Sequence, residues 1–234
     1  MADSFVMDNP WITVPSGPPF IADCDRELID LVLSADPRAR SELHFEALPE
    51  PYAGDPERAT VVLLSLNPGW ADADRIENNP VEDWEAEARR NLTFSARTPF
   101  VHIDPRFREK TGGGQWWSRR LRRLAEATSW EQVGQRLMVL EFFGYHSKNW
   151  RSLPIPLPSQ AFTFDLLRRV LRRNLLIICT RGWSEWVWNV PDLYAYKRIL
   201  RLNSQRWVGL SPGNMSAGDF DQVVAAVSAT PASA

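Results

Sequence analysis

The stretch that most constrains this chain is Thr60-Val61-Val62-Leu63-Leu64-Ser65-Leu66. It is a short, nearly continuous apolar run, β-branched at its start. Turn-rich residues 48–58 precede it and Asn67-Pro68-Gly69-Trp70 ends it. A strand with one wet face alternates apolar and polar residues. An unbroken run this short reads instead as a strand covered on both faces, as in a parallel sheet. Parallel strands need helical crossovers, so the fold is expected to alternate strand and helix. In open sheets of that kind, ligands bind beyond the carboxyl ends of the strands. Topology alone thus puts Asn67 at a binding position.

The rest of the sequence fits that alternation. Residues 23–34 read as a helix, with Asp23 as candidate N-cap and Leu28, Leu31 and Val32 at helical spacing. Residues 80–91 read as an acidic helix. Residues 93–114 read as a long loop holding Phe100, His102, Phe107 and the run Gly112-Gly113-Gly114. Loops of that length inside a domain are usually functional or disordered, and the aromatic content argues against disorder. A helix over 115–127 turns Trp117, Leu121 and Leu124 to one face and Arg119, Arg120 and Arg123 elsewhere. Residues 135–143 read as a second strand, followed by a Pro-rich loop over 145–158. Residues 159–173 read as a helix, and 175–180 as a third strand ending at Arg181-Gly182. Helical pieces follow over 183–188 and 192–200. Residues 206–210 read as a fourth strand, ending in Ser211-Pro212-Gly213-Asn214-Met215-Ser216, and 219–227 as a closing helix. The pattern predicts a three-layer α/β/α fold with a short, mainly parallel sheet of about four strands. Residues 1–22 are expected to form an extended arm, 23–227 a single α/β domain and 228–234 a frayed tail.

Composition narrows the function classes. A chain of 234 residues buries a sizeable core without staples. It contains no run of about 18 apolar residues, so no membrane span is expected. Met1-Ala2-Asp3-Ser4-Phe5 lacks the basic and apolar regions of a secretory signal, so a cytoplasmic protein is the expectation. Cys24 and Cys179 then read as reduced thiols. The histidines His44, His102 and His146 are scattered and no CxxC or HExxH occurs, so neither a metal nor a cofactor is expected. A monomer is expected.

Charge is divided unevenly. Residues 1–90 hold 7 Arg against 19 Asp and Glu, whereas residues 91–234 hold 20 Lys and Arg against 10 Asp and Glu. Either the basic half offers phosphates a surface, or the two halves pair on folding. The 11 Trp are clustered too: Trp70, Trp116, Trp117, Trp183, Trp186, Trp188 and Trp207 lie near predicted strand ends or the helices that follow. They either wall a pocket or stack on a ligand.

Two strand-end motifs carry a resemblance. Ser65-Leu66-Asn67-Pro68-Gly69 is similar to the G-I-N-P-G motif of the mismatch-specific uracil and thymine glycosylases. Ser211-Pro212-Gly213-Asn214-Met215-Ser216 resembles the N-P-S-G-L-S and H-P-S-P-L-S motifs of the same uracil-DNA glycosylase superfamily. Their order and spacing agree with that family. Between them, Gly114-Gln115-Trp116-Trp117 is similar to the family's N-x-F-W helix start, and Leu140 to Trp150 to the strand and loop bearing its base-reading Asn. The chain also resembles a group of uncharacterised bacterial proteins sharing P-E-P-Y-x-G-D-P, here Pro49 to Pro56, and L-N-P-G, here Leu66 to Gly69.

The resemblance implies a uracil-DNA glycosylase-like fold, spanning roughly residues 58–227, and hydrolysis of the N-glycosidic bond of a base in DNA. It departs at two positions: Ser211 stands where His or Asn is common, and Glu141 where the base-reading Asn would be. An ionised carboxylate accepts hydrogen bonds and suits an exocyclic amine better than a carbonyl. On this reading Asn67 orients the attacking water, with Ser211 and His146 as further catalytic candidates. Pro68, Gly69, Trp70 and Glu141 would hold the base, with Phe100 or Phe107 stacking on it. Met215 would fill the gap left in the duplex, flanked by Pro212, Gly213, Asn214 and Ser216. Arg119, Arg120, Arg123 and Arg181 would hold phosphates. Each feature also has a plain alternative. Both motifs are good turn chemistry. Arginine rows are often solvated helix faces, Glu141 pairs readily with an arginine, and His146 or His102 fits a loop or core. The partner is then either DNA or a small nucleotide or nucleoside in the same strand-end pocket, or DNA bound without chemistry.

Overall fold

The computed structural model describes residues 8–36, 38–71, 74–75, 81–149, 153 and 155–229. In chain order the strands are β1 (Leu43–His44), β2 (Tyr52–Ala53), β3 (Val61–Ser65), β4 (Leu137–Glu141), β5 (His146–Ser147), β6 (Leu176–Cys179) and β7 (Ile199–Arg201). The α-helices are α1 (Arg26–Ala35), α2 (Ala39–Glu42), α3 (Trp84–Leu92), α4 (Gly112–Ala127), α5 (Trp130–Arg136), α6 (Gln160–Arg172), α7 (Trp183–Asn189), α8 (Asp192–Ala195) and α9 (Asp219–Ser228).

Five strands form one sheet in the order β2-β4-β3-β6-β7. β4, β3, β6 and β7 run parallel, and β2 pairs antiparallel along β4. β1 and β5 make a separate antiparallel pair. The apolar run forms the central strand: Val61, Val62, Leu63 and Leu64 are fully buried between β4 and β6. Burial of each such side chain contributes about 1.5–3 kcal/mol. Continuous apolarity was the right signal, because a strand inside a sheet covered by helices has no wet face.

Chain direction decides where the helices go. The crossover from β3 to β4 carries α3, α4 and α5 one way across the sheet. The crossover from β4 to β6 carries α6 the other way, and α7 and α8 continue it to β7. Right-handed crossovers in opposite directions put their helices on opposite faces. The packing agrees: α5 meets α9, which lies on β3, and α6 meets α8.

Several elements depart from the sequence expectation. Residues 206–210 are not a strand. Leu210 N donates to Arg120 O, and the Asn214 side chain takes up the carbonyls of Trp207 and Gly209, so these groups are bonded outside any ladder. The fourth parallel strand is β7, straddling the end of the segment 192–200 that was expected to be helical. It is three residues long and only half-buried, so it carries no burial pattern. β2 is shorter still, and Gly54 after it has φ +120° with a Cβ position 2.7 Å from Leu137 O, which only glycine tolerates. Helix α5 lies where the second strand was expected to begin. Its signal is Ser129, whose side chain accepts from Gln132 N. Helix α4 starts three residues early, capped by Thr111 on Gly114 N. Asp23 lies in a 3-10 turn (Asp23–Asp25) instead of capping α1. Trp11 is buried edge-on to Tyr145. Residues 1–7 of the expected arm, Pro80 of the acidic helix, Trp150 of the second loop and residues 230–234 of the tail lie outside the described residues.

Candidate functional site

A cavity of about 420 Å³ opens at the carboxyl ends of β3, β4 and β6. Its volume falls within the range of small-molecule pockets. Asn67, Glu141 and Arg181, each just at or past one of those strand ends, all line it.

Asn67 follows β3 through a tight turn. Its Nδ2 donates to Pro68 O at 2.6 Å and to Ser147 Oγ at 2.8 Å. A backbone carbonyl only accepts, so the amide orientation is fixed by chemistry. Oδ1 is left without a hydrogen-bond partner among the described residues. The loop itself is held by Ser147 N, which donates to Pro68 O, and by His146.

Glu141 ends β4 in register with Ser65 of β3. It is 7% exposed, and its Oε2 has no hydrogen-bond partner among the described residues. Burial pushes its carboxyl up to about 8, Glu50 adds to the rise, and a bond from Ser65 and the charge of Arg181 only partly oppose it. The protonated form of Glu141 is therefore favoured at neutral pH. This corrects the expectation of an ionised, amine-selecting carboxylate: a protonated carboxyl presents one donor and one acceptor.

Glu50 lies in the same cavity and behaves oppositely. Burial alone would raise it, but His102 and then His146 outweigh that and hold it at about 2. His102 Nε2 lies 3.2 Å from Glu50 Oε2. The first turn of α4 packs on that histidine, and a Cβ at Gly113 would fall 2.7 Å from His102 Nδ1. Asp74, also in the wall, is raised by burial and accepts from Ala71 N at 2.6 Å. Gly69 and Trp70 line the cavity as expected from the first motif. Trp70 stacks on His44 at 3.8 Å, the two rings nearly parallel, with the Arg75 guanidinium 5.3 Å from its ring. Trp116 and Trp117 complete the aromatic wall, and Lys148 and Arg181 supply positive charge.

Other expectations are corrected. His146 lines the cavity, but Nδ1 faces Gly69 O at 2.5 Å and Nε2 faces Leu48 O at 3.0 Å. Both ring nitrogens sit against backbone carbonyls, so the ring pins the loop to its neighbours. Phe100 and Phe107 are fully buried. They pack edge-on to Trp117 at 5.1 Å and Trp84 at 5.2 Å, out of reach of a base.

The second motif does not reach the cavity: none of Ser211, Pro212, Gly213, Asn214, Met215 or Ser216 lines it. Asn214 instead bonds Ser204 N, Trp207 O and Gly209 O, and neither it nor Gly213 uses a positive φ. Met215 is 2% exposed and is a core side chain, not a wedge. Arg123 pairs with Glu126 at 2.8 Å on the open face of α4. Arg120 is held between Trp116 and Trp207, and Arg119 is exposed beside it. Among the described residues no His, Cys, Asp and Glu cluster has the makings of a metal site.

Sequence reasoning missed Glu50, Asp74, Ser147 and Lys148. They come from segments remote in sequence, and only the fold gathers them. Glu50 alone left a trace, as the acidic residue in a proline-flanked turn before a strand. Compared with known proteins, the chain matches no family model, no curated protein and no solved structure.

Proposed function

We propose that the chain is a uracil-DNA glycosylase-like hydrolase that binds a base of DNA in this cavity and hydrolyses its N-glycosidic bond. The observation that carries the reading is one pair: Asn67 and Glu141, on the ends of adjacent parallel strands, face a single base-sized cavity. Breaking a glycosidic bond puts positive charge on the sugar and negative charge on the departing base. Asn67 Oδ1, fixed by its two N–H bonds, accepts from and orients the attacking water. The ionised Glu50 offsets the charge on the sugar. The neutral Glu141 donates to the base as it leaves, which a carboxylate cannot do. Trp116, Trp117 and Trp70 wall the base in.

The ionised Glu50 in the wall repels phosphate from its side of the interior. Phosphates belong outside, at the arginines, which favours a base turned in from a polymer over a free nucleotide. The three-layer glycosylase-like architecture belongs to the same proposal. Incubation with oligonucleotides carrying uracil, mismatched thymine or modified bases, followed by alkaline cleavage of abasic sites, tests it. Strand breaks that vanish in Asn67→Ala are expected. No breaks with any base, or undiminished breaks in the variant, overturn the reading.

A further inference from the structure

Beside the cavity mouth a guanidinium is clamped between two indoles. The Arg120 Cζ lies 3.4 Å from the Trp116 ring centroid and 4.9 Å from that of Trp207. Both indoles keep much of their surface in water: Trp116 is 36% exposed and Trp207 46%. Two open indoles flanking one guanidinium form a patch and not a scattered surface residue.

The charges around this clamp are like-signed. Burial, and after it the charges of Arg181 and Arg119, lower the Arg120 guanidinium to about 10. Arg119, Arg181 and Arg206 are exposed, and none has an ion-pair partner among the described residues. The contrast is on the same helix, where Arg122 and Arg123 share Glu126. Trp116 and Arg181 also line the cavity, so the clamp and the cavity form one continuous surface.

We infer that this surface binds single-stranded nucleic acid, with bases flanking the cavity stacked on Trp116 and Trp207 and their phosphates on Arg119, Arg181 and Arg206. The chemistry selects the strand form. Every base offers a flat face to an indole, but a duplex hides those faces in its own stack. Arginines alone would suit any polyanion; open indoles interleaved with them suit unstacked bases. The inference rests on the glycosylase reading for its nucleic-acid partner and adds which form of it is taken.

The test is fluorescence anisotropy with a labelled 12-nucleotide DNA strand of ordinary bases, and with the same sequence as a duplex. The strand is expected to bind about tenfold tighter or more. Trp207→Leu should weaken strand binding about tenfold, within the range for loss of one stacking platform. Arg119→Ala should reduce the slope of log affinity against log salt by about 0.7, as for one lost phosphate contact on a single strand. Trp188→Ala removes an 85% exposed indole away from this surface and should change nothing. Equal affinity for strand and duplex, or a Trp207→Leu protein that binds as wild type, overturns the inference. The failures are distinguishable. Strand binding without release of any base leaves this inference standing and removes the glycosylase reading, and base release with Trp207-independent binding does the reverse.

Discussion

Two turns with nearly the same chemistry end up with opposite tasks. Asn67-Pro68-Gly69 and Pro212-Gly213-Asn214 each combine an amide side chain with proline and glycine. Asn67 spends its N–H groups on the loop and leaves its carbonyl oxygen open at the cavity. Asn214 spends both ends on backbone, accepting from Ser204 N and donating to Trp207 O and Gly209 O. The difference lies in what precedes each turn. β3 is the central strand of the sheet, so its end projects into the crevice between crossovers. Residues 206–210 form no strand, and the loop after them must make its own hydrogen bonds. A turn motif acquires chemistry from the strand that delivers it.

Four substitutions sharpen or break that contrast. The largest effect on folding is expected in the second turn. Met215→Ala empties a buried site and should cost about 2–5 kcal/mol in urea unfolding. A loss under about 0.5 kcal/mol, the range of surface changes, would return Met215 to a surface role. In the first turn, Asn67→Ala should lower base release about a hundredfold, the scale of a misplaced reactant, with melting lowered by only a few degrees. A variant that melts far lower yet cleaves normally when folded would mean that the two turns do the same work. Asn214→Ala should cost about 1–3 kcal/mol by orphaning buried backbone groups, and the folded fraction should keep full base-release activity, measured per native molecule.

The fourth is read as a slope. The Glu141 carboxyl sits at about 8 in the fold against an ordinary 4.5. The folded state therefore holds a proton that the unfolded chain gives up, and wild-type stability declines as pH rises from about 4.5 to about 8. Gln carries no such proton. The stability of Glu141→Gln relative to wild type should climb across that window and level off above it. A flat difference in Tm from pH 5 to pH 9 would show that Glu141 is ionised. Glu50, held at about 2, gives the opposite sign: its contribution is complete above about 4.5 and is lost as pH falls toward 2.

How much was legible follows from where the information sits. The parallel sheet was readable from Thr60–Leu66, because burial on both faces leaves a continuous apolar signature. Helices α4 and α6 were readable from one-sided apolar spacing over 16 and 13 residues. β2 and β7 were not, because two or three residues hold no period and their partners are distant in sequence. Asn67 was legible as a strand end; Glu141 was reached only through the resemblance, inside a strand expected to run to residue 143. The rest of the cavity was not legible, since Glu50, Asp74, Ser147 and Lys148 become neighbours only when three segments close on one crevice. The neutrality of Glu141 was illegible for a related reason: its cause is burial and a second carboxylate about ninety positions earlier in the chain. The second motif misled because it reads the same whether it faces a ligand or holds itself.

The margins of the sheet carry a consequence for self-association. One margin is the two-residue β2, which starts just after Pro51 and stops at Gly54. The other is the three-residue β7, which ends on the exposed Arg201. Neither offers a second molecule more than a few backbone groups to zip onto, and one of the two carries a charge where a newcomer would pack. Filament growth by strand addition is blunted at both rims, so a chain with so apolar a central strand can be held at high concentration without its sheet extending into another copy.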